Sequence, residues 1–410
     1  MNDQINQLSV EDIKSALDAF GGSIKHTPTT YAITLSKITG AEIYIKNENA
    51  QFTSSFKERG ALNKLMNLTD EQKKRGVIAA SAGNHAQGVA FHGSRLGIPT
   101  TIAMPLGTPF VKVSNTEELG AKVVQVGERF DETAEEAMKM AEEQNLTVVH
   151  PFDDYHVMAG QGTIGLELLE DVSDVDVVLV PVGGGGLIAG IATAIKSINS
   201  KIKVIGVQSE RFPSLYRAMN DEEYVPQGST LAEGIAVKNI GEKTLEVCKK
   251  YVDDVLLVSE EEIEKALGLL LTIEKTVCEG AGACPLAAVI RYPEVFKGKK
   301  VALIVSGGNI DTRLLASILM RSLVRDGRIT RLKIELPDIP GALSIISSII
   351  GNKGGNIIDV SHHRLFTELP AKETYSNITL ETRDSQHFED ILEELRSEGF
   401  VVTVNPNIDM

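Results

Sequence analysis

Val177-Val178-Leu179-Val180-Pro181-Val182 runs straight into Gly183-Gly184-Gly185-Gly186, and Leu187 then opens an apolar stretch. A short unbroken apolar run followed by glycines and a helix start describes a strand buried on both faces, a tight turn and a helix packed back onto the sheet. The turn carries a second message. Adjacent glycines at a helix N-terminus expose unhindered backbone N–H groups, an arrangement that favours an anion such as phosphate. A turn that needs only positive φ accounts for one or two glycines rather than four.

Outward from that turn the pattern repeats. Strands are expected at 177–180, 204–207, 255–258 and 301–305, and Ser259 with Glu262 forms a capping box for the helix after the third. An earlier set of apolar runs, 77–80, 101–104, 122–126 and 148–150, alternates with helices in the same way, and Ala134, Ala137, Met138 and Ala141 share one face of the last helix. Ahead of both sets, Ser9 and Asp12 cap a first helix whose Ile13, Ala16, Leu17 and Phe20 recur at helical spacing up to Gly21-Gly22. Residues 41–46 alternate like a strand and lead into a loop around Lys57, with a helix beginning near Arg59. The whole predicts an α/β fold of two parallel-sheet subdomains, covered by helices, with a cleft between them.

Past Arg325-Asp326-Gly327-Arg328 the alternation stops. The remaining chain reads as strand 329–336, helix 341–352, strand 356–365, strand 373–382, helix 386–397 and strand 401–404, the βαββαβ order of a ferredoxin-like domain. The expected division is therefore a unit 1–325, with a smaller subdomain at about 50–150 inserted in it, and a second domain 326–410.

At 410 residues, 42% hydrophobic and 24% charged, the chain is long enough for two or three domains with sizeable cores. A net charge of −15 argues against nucleic acid or an acidic membrane surface as partner, which leaves small molecules. Cys248, Cys278 and Cys284 form neither a disulfide framework nor a C-x-x-C metal pattern. The polar, acidic start lacks the features of a secretory signal, and no apolar run approaches the ~18 residues of a membrane span, so a cytoplasmic location is expected.

Several stretches carry chemistry. In Ser54-Ser55-Phe56-Lys57-Glu58-Arg59-Gly60 a lysine lies between an aromatic residue and a glycine, and Arg59 offers a cationic neighbour. Burial and a nearby cation are what turn a lysine amine into a nucleophile or base; the plain alternative is an exposed lysine at a helix start. Ser81-Ala82-Gly83-Asn84-His85-Ala86-Gln87-Gly88 follows a strand and opens a helix, a second anion-binding start where Ser81, Asn84 and His85 can donate to a carboxylate or a ring hydroxyl. Ser306-Gly307-Gly308-Asn309 repeats the design after strand 301–305, and Glu279 heads the glycine-rich run Gly280-Ala281-Gly282 either as a site acid or as a carboxylate at a helix N-terminus. Gly184, Gly186 and Ala189 also fit G-x-G-x-x-A, with Glu210 where a ribose-binding acid stands, which keeps an NAD-dependent oxidoreductase as a rival reading.

Together SSFKERGA, SAGNHAQG, GGGGL, EGAGA and SGGN, in this order and at these spacings, resemble the fold-type-II pyridoxal-phosphate enzymes, and among them the threonine/serine dehydratases. The resemblance covers roughly residues 1–325 and implies the tryptophan-synthase-β-like fold. It implies that Lys57 holds the pyridoxal phosphate as a Schiff base beside Phe56, that Asn84 bonds the cofactor's 3′ oxygen, that Gly183, Gly184, Gly185, Gly186 and Leu187 cradle its phosphate, and that Ser306 meets the ring nitrogen. Ser81, with Ala82, Gly83, Asn84 and His85, would hold the substrate carboxylate, and Ser81 stands with Lys57 among the catalytic residues. The implied reaction converts L-threonine to 2-oxobutanoate and ammonia, with L-serine giving pyruvate. Serine dehydratase and serine racemase are the near alternatives, although Ala82 stands where racemases of this family carry a second serine. Gln208 stands where metal-dependent relatives have an acid, so no metal is expected there, with Glu210 two residues on.

The tail has its own likeness. Leu336-Pro337-Asp338-Ile339-Pro340-Gly341-Ala342-Leu343, between strand and helix, resembles the ACT regulatory domain. That resemblance implies an amino-acid effector, isoleucine or valine, at a turn including Asp338, Gly341, Ala342 and Leu343; the plain alternative is a pairing module without ligand. A homodimer or homotetramer is expected with it. A non-catalytic amino-acid sensor, with the tail as its active part, would have no use for Lys57, Asn84 and Ser306.

Overall fold

Strand Val177–Pro181 is buried along its whole length, and its neighbour Lys300–Val305 is buried from the second residue on. Strands this apolar need cover on both faces, and helices Tyr155–Asp171, Gly186–Ile198 and Gly280–Arg291 bury long runs of their own residues. In the computed structural model, which describes residues 7–226, 228–364, 370 and 372–404, the chain divides into two compact units, Met1–Ile310 and Asp311–Met410. That division falls ahead of helix Thr312–Arg325 rather than after it.

The first unit holds two sheets. The larger runs Thr29–Tyr31, Glu42–Asn47, Lys300–Val305, Val177–Pro181, Lys203–Ser209 and Asp254–Val258, parallel throughout except for its antiparallel first pair. The smaller runs Lys122–Gln125, Thr100–Met104, Val77–Ala80 and Thr147–Val148, all parallel. Residues 42–47 thus belong to the large sheet, beside a strand that lies far away in sequence. Register brings two loops to one edge. Val305 pairs with Asn47, so the carboxyl ends of two neighbouring strands lie level, and Ser306 and the Lys57 loop leave from that edge. An isolated antiparallel bridge between Ser55 and Gly307 and the bond from Phe56 N to Ser306 O, 3.0 Å, then tie the two loops together.

Local signals hold where they are expected: Ser9–Asp12 and Ser259–Glu262 are both reciprocal capping boxes, and Gly21 ends the first helix in the left-handed conformation at φ +50°. The Lys57 helix spans Lys57–Met66 and so starts at the lysine, not near Arg59. The strand expected at 148–150 is reduced to Thr147–Val148.

The second unit contains strands Ile329–Pro337, Asn356–His363, Glu373–Glu381 and Val401–Val404 with helices Ala342–Asn352 and Ser385–Ser397. Its antiparallel strand order, 356–363, 373–381, 329–337, 401–404, is that of a ferredoxin-like sheet, and Leu332, Ile334, Ile346, Ile391 and Leu395 form its core. Leu365, the expected end of the second strand, lies outside the described residues.

Candidate active site

Lys57 occupies the first position of its helix, where the Lys57–Met66 backbone has not yet closed its own hydrogen bonds. Its side chain is half-buried, Nζ donates to Pro151 O at 2.8 Å and lies 5.2 Å from the centre of the Phe56 ring. Burial lowers the amine's pKa from 10.5 to about 8, against the pull of the Glu279 carboxylate, which favours the ammonium. The amine is therefore poised near neutrality and, among the described residues, makes no carboxylate contact.

Arg59 has a different role from the one the sequence suggests. Its guanidinium is fully buried and points away, donating to Glu48 at 2.8 Å and to Glu167 at 2.6 and 2.8 Å; Lys46 completes the cluster at 2.9 Å from Glu167. Burial opposes its charge, but Glu48 and Glu167 outweigh that and hold it above its ordinary value. The lowered Lys57 pKa owes nothing to Arg59. Glu58, between them, accepts from Thr53 N and from His92 Nε2, so three successive side chains anchor the helix start in different directions.

Ser81, Ala82, Gly83 and Asn84 follow strand Val77–Ala80 and are half-buried at the start of helix Asn84–Arg95. The first turn of that helix offers backbone N–H groups without intrahelical acceptors. The His85 side chain does not join them: it is buried and its Nε2–H donates to Val149 O at 2.8 Å. Burial, helped by the Lys57 charge, drives its pKa to about 3, so it is neutral, and what it can offer a carboxylate is its backbone N–H. The expectation that its side chain donates to substrate is corrected accordingly.

The glycine turn leaves the carboxyl end of strand Val177–Pro181 in the larger sheet, with Gly185 at φ +94° heading helix Gly186–Ile198. A Cβ on Gly184 would lie 2.3 Å from the Phe152 ring and one on Gly186 2.9 Å from the Phe152 backbone. Close approach by Phe152, as well as positive φ, explains why glycine is needed here. The N–H groups of the helix's first turn, from Gly186 and Leu187, remain for an anion. Ser306 is a buried residue that directly follows strand Lys300–Val305.

Glu279 meets Asn84: both its oxygens accept from Asn84 Nδ2 at 3.0 Å. Burial raises its pKa to about 7, opposed by the Asn84 bond and by Lys57. The structure thus brings Lys57, Phe56, Asn84, Ser306 and Glu279 together. Asn309, the last residue of the Ser306-Gly307-Gly308-Asn309 motif, joins them through Asn84. Pro151 and Phe152 also belong to this neighbourhood, and sequence reasoning misses them; a Pro-Phe-Asp-Asp run after a strand is a loop signal, and nothing in it announces the glycines about 30 positions on.

Other candidates resolve as structure. Gln208 is buried and saturated, donating to Val182 O and Ser214 Oγ and accepting from Leu215 N and Tyr216 N. Glu210 accepts from Arg291 at 2.6 Å. The three cysteines are buried free thiols whose pKa values burial raises. In the second unit a shallow groove is lined by Ile339, Pro340, Gly341, Ala342, Ile345 and Ser348; Asp338 instead pairs with Arg364 at 3.2 Å, and Leu343 packs against the core. Among the described residues no helix is long and apolar enough to cross a membrane.

A lysine of lowered pKa beside an aromatic ring, a glycine-lined helix start for a phosphate, and a serine at the end of the neighbouring strand Lys300–Val305 fit a phosphorylated aromatic aldehyde. Comparison with known proteins agrees. Residues 22–307 match the family described as pyridoxal-phosphate dependent enzyme. The chain is 47% identical over 399 residues to an L-threonine ammonia-lyase of Thermotoga maritima, covering 97% of this chain and 99% of that one. The processed form of threonine deaminase isoform 2 from Solanum lycopersicum superposes with a TM-score of 0.73 at 36% identity, covering 77% of this chain and 87% of that one. A serine racemase from Dictyostelium discoideum superposes at 0.69 and 34% identity, over 74% of this chain and 99% of that one.

Proposed function

This chain belongs to the threonine dehydratase family of pyridoxal-phosphate-dependent enzymes, and from that premise we propose how its residues divide the work of converting L-threonine to 2-oxobutanoate and ammonia. The observation that carries the assignment is Lys57, half-buried, with Nζ on the Pro151 carbonyl and its pKa lowered to about 8 by burial. Bound pyridoxal phosphate supplies an electron sink that lets an amino acid's α-carbon release its proton.

Lys57 Nζ would hold the cofactor's aldehyde and, when free of it, would accept the substrate's α-proton. The Pro151 carbonyl, 2.8 Å from Nζ, stabilises the ammonium so formed. Gly183, Gly184, Gly185, Gly186 and Leu187 would hold the phosphate, Ser306 would meet the ring nitrogen, Asn84 the 3′ oxygen and Phe56 the ring. Ser81 and the backbone of Ala82, Gly83, Asn84 and His85 hold the substrate carboxylate. Water leaves from the β-carbon, and the released enamine becomes an imine that water hydrolyses to 2-oxobutanoate and ammonia. L-Serine gives pyruvate by the same route.

The test is to add L-threonine to the yellow full-length protein: 2-oxobutanoate is expected in step with ammonia, and a chromophore without 2-oxobutanoate contradicts the assignment. The likeness to serine racemase makes D-serine formation the second product to assay, and Ala82, which has no proton to give, argues that none appears. The C-terminal unit is proposed to bind isoleucine or valine, supported by the groove that Ile339, Pro340, Ala342, Ile345 and Ile349 line together with polar residues. Calorimetric titration that registers no heat with either amino acid leaves that unit a pairing module in a homodimer or homotetramer.

A further inference from the structure

Glu279 heads helix Gly280–Arg291 but does not cap it with its side chain. The carboxylate turns to Asn84 across the cleft, and the two distances, 3.0 Å each, place one N–H of the carboxamide between both oxygens. The second N–H is left over. The other end of the carboxamide is held as firmly, because Asn84 Oδ1 accepts from Asn309 Nδ2 at 2.6 Å, and Asn309 is itself held by Thr53 O at 3.0 Å. The carboxylate sits in a slot that two glycines leave open: a Cβ on Gly307 would lie 2.8 Å from Oε1, and one on Gly234 3.0 Å.

We propose that Glu279, with Asn309, is a positioning residue that acts through Asn84, fixing which edge of its carboxamide meets the cofactor and placing a negative charge beside Lys57. This rests on the assignment of the site to pyridoxal phosphate. The charged and titratable groups that bear on Glu279 are Lys57, Glu233 and Lys112, with the buried thiols of Cys278 and Cys284 beside it, and those that sense Lys57 include His85 and His150. Of these, Lys57 and Glu279 carry opposite charges, each favouring the other's charged form.

The experiment uses the full-length protein with pyridoxal phosphate and reads two quantities, the dissociation constant of the cofactor and the pH midpoint at which its absorbance reports loss of the proton on the Lys57 nitrogen. Glu279→Ala is expected to weaken cofactor binding about tenfold and to lower the midpoint by about one pH unit. Glu279→Gln keeps an acceptor for Asn84 but no charge, so binding stays within about threefold while the midpoint falls as in the alanine variant. Asn309→Ala weakens binding and leaves the midpoint in place. Folded variants in which neither quantity moves overturn the proposal, and if Glu279→Ala does not fold, an unchanged midpoint in Glu279→Gln does so alone. A wild-type protein that binds no pyridoxal phosphate fails the assignment of the site instead.

Discussion

Two ionic neighbourhoods flank the first turn of helix Lys57–Met66, and they treat a cation in opposite ways. Behind the turn, Arg59 and Lys46 lie fully buried, yet Glu48 and Glu167 meet them at hydrogen-bonding distance, so charge is matched by charge. In front, Lys57 has one neutral acceptor, the Pro151 carbonyl, and its carboxylate neighbour Glu279 is spent on Asn84. Residue type does not separate the two, since each side contains a lysine and a glutamate. What separates them is where the carboxylates are placed, and that decides whether a buried cation is a strut or a reagent.

Exchanging the roles of the two neighbourhoods is the way to break this contrast. Lys57→Ala should cost at least about a thousandfold in turnover of L-threonine, as loss of the base and of the cofactor's attachment requires, with unfolding free energy within about 1 kcal/mol of wild type. A large loss of stability in that variant would mean that Lys57 is a strut after all. Glu167→Ala should do the reverse and destabilise the fold by about 3–5 kcal/mol in urea unfolding, because Arg59 and Lys46 lose their shared carboxylate in the interior. A change below about 1 kcal/mol, typical of an exposed pair, would show the cluster to be solvated.

The contrast is sharpened by titration. In the cofactor-free chain the Lys57 amine should react with an acylating reagent with a midpoint near pH 8, against about 10.5 for an unperturbed lysine. The sign follows from burial: the ammonium is disfavoured, so the reactive neutral form appears at lower pH. At pH 7 this leaves roughly three-hundredfold more neutral amine than an ordinary lysine has. Equal labelling of Lys57 and surface lysines at that pH would remove the contrast.

Much of the architecture is legible in the sequence because it is local. Alternating strands and helices, the two capping boxes and the βαββαβ order of the tail depend on neighbours a few residues apart, and the structure contains them. The motifs Ser81 to Gly88 and Gly183 to Leu187 are legible as well, since each sits where a strand ends and a helix begins. What sequence alone does not reveal is the partner. Arg59 reads as a neighbour of the reactive lysine because its carboxylates come from 11 and 108 positions away. His85 reads as a free donor because its acceptor is Val149, 64 positions on. Residues 42–47 read as the approach to the Lys57 loop, while their place in the large sheet depends on pairing with strand Lys300–Val305. Phe152 carries no motif, yet its ring is what leaves Gly184 no room for a side chain.

The most direct measurement is to reduce the full-length protein with borohydride in the presence of pyridoxal phosphate and map the modified lysine by mass spectrometry. The account predicts one pyridoxyl group, on Lys57, and less of it when L-threonine is added before reduction. A group fixed on Lys46 or on a surface lysine, with Lys57 unmodified, would contradict it.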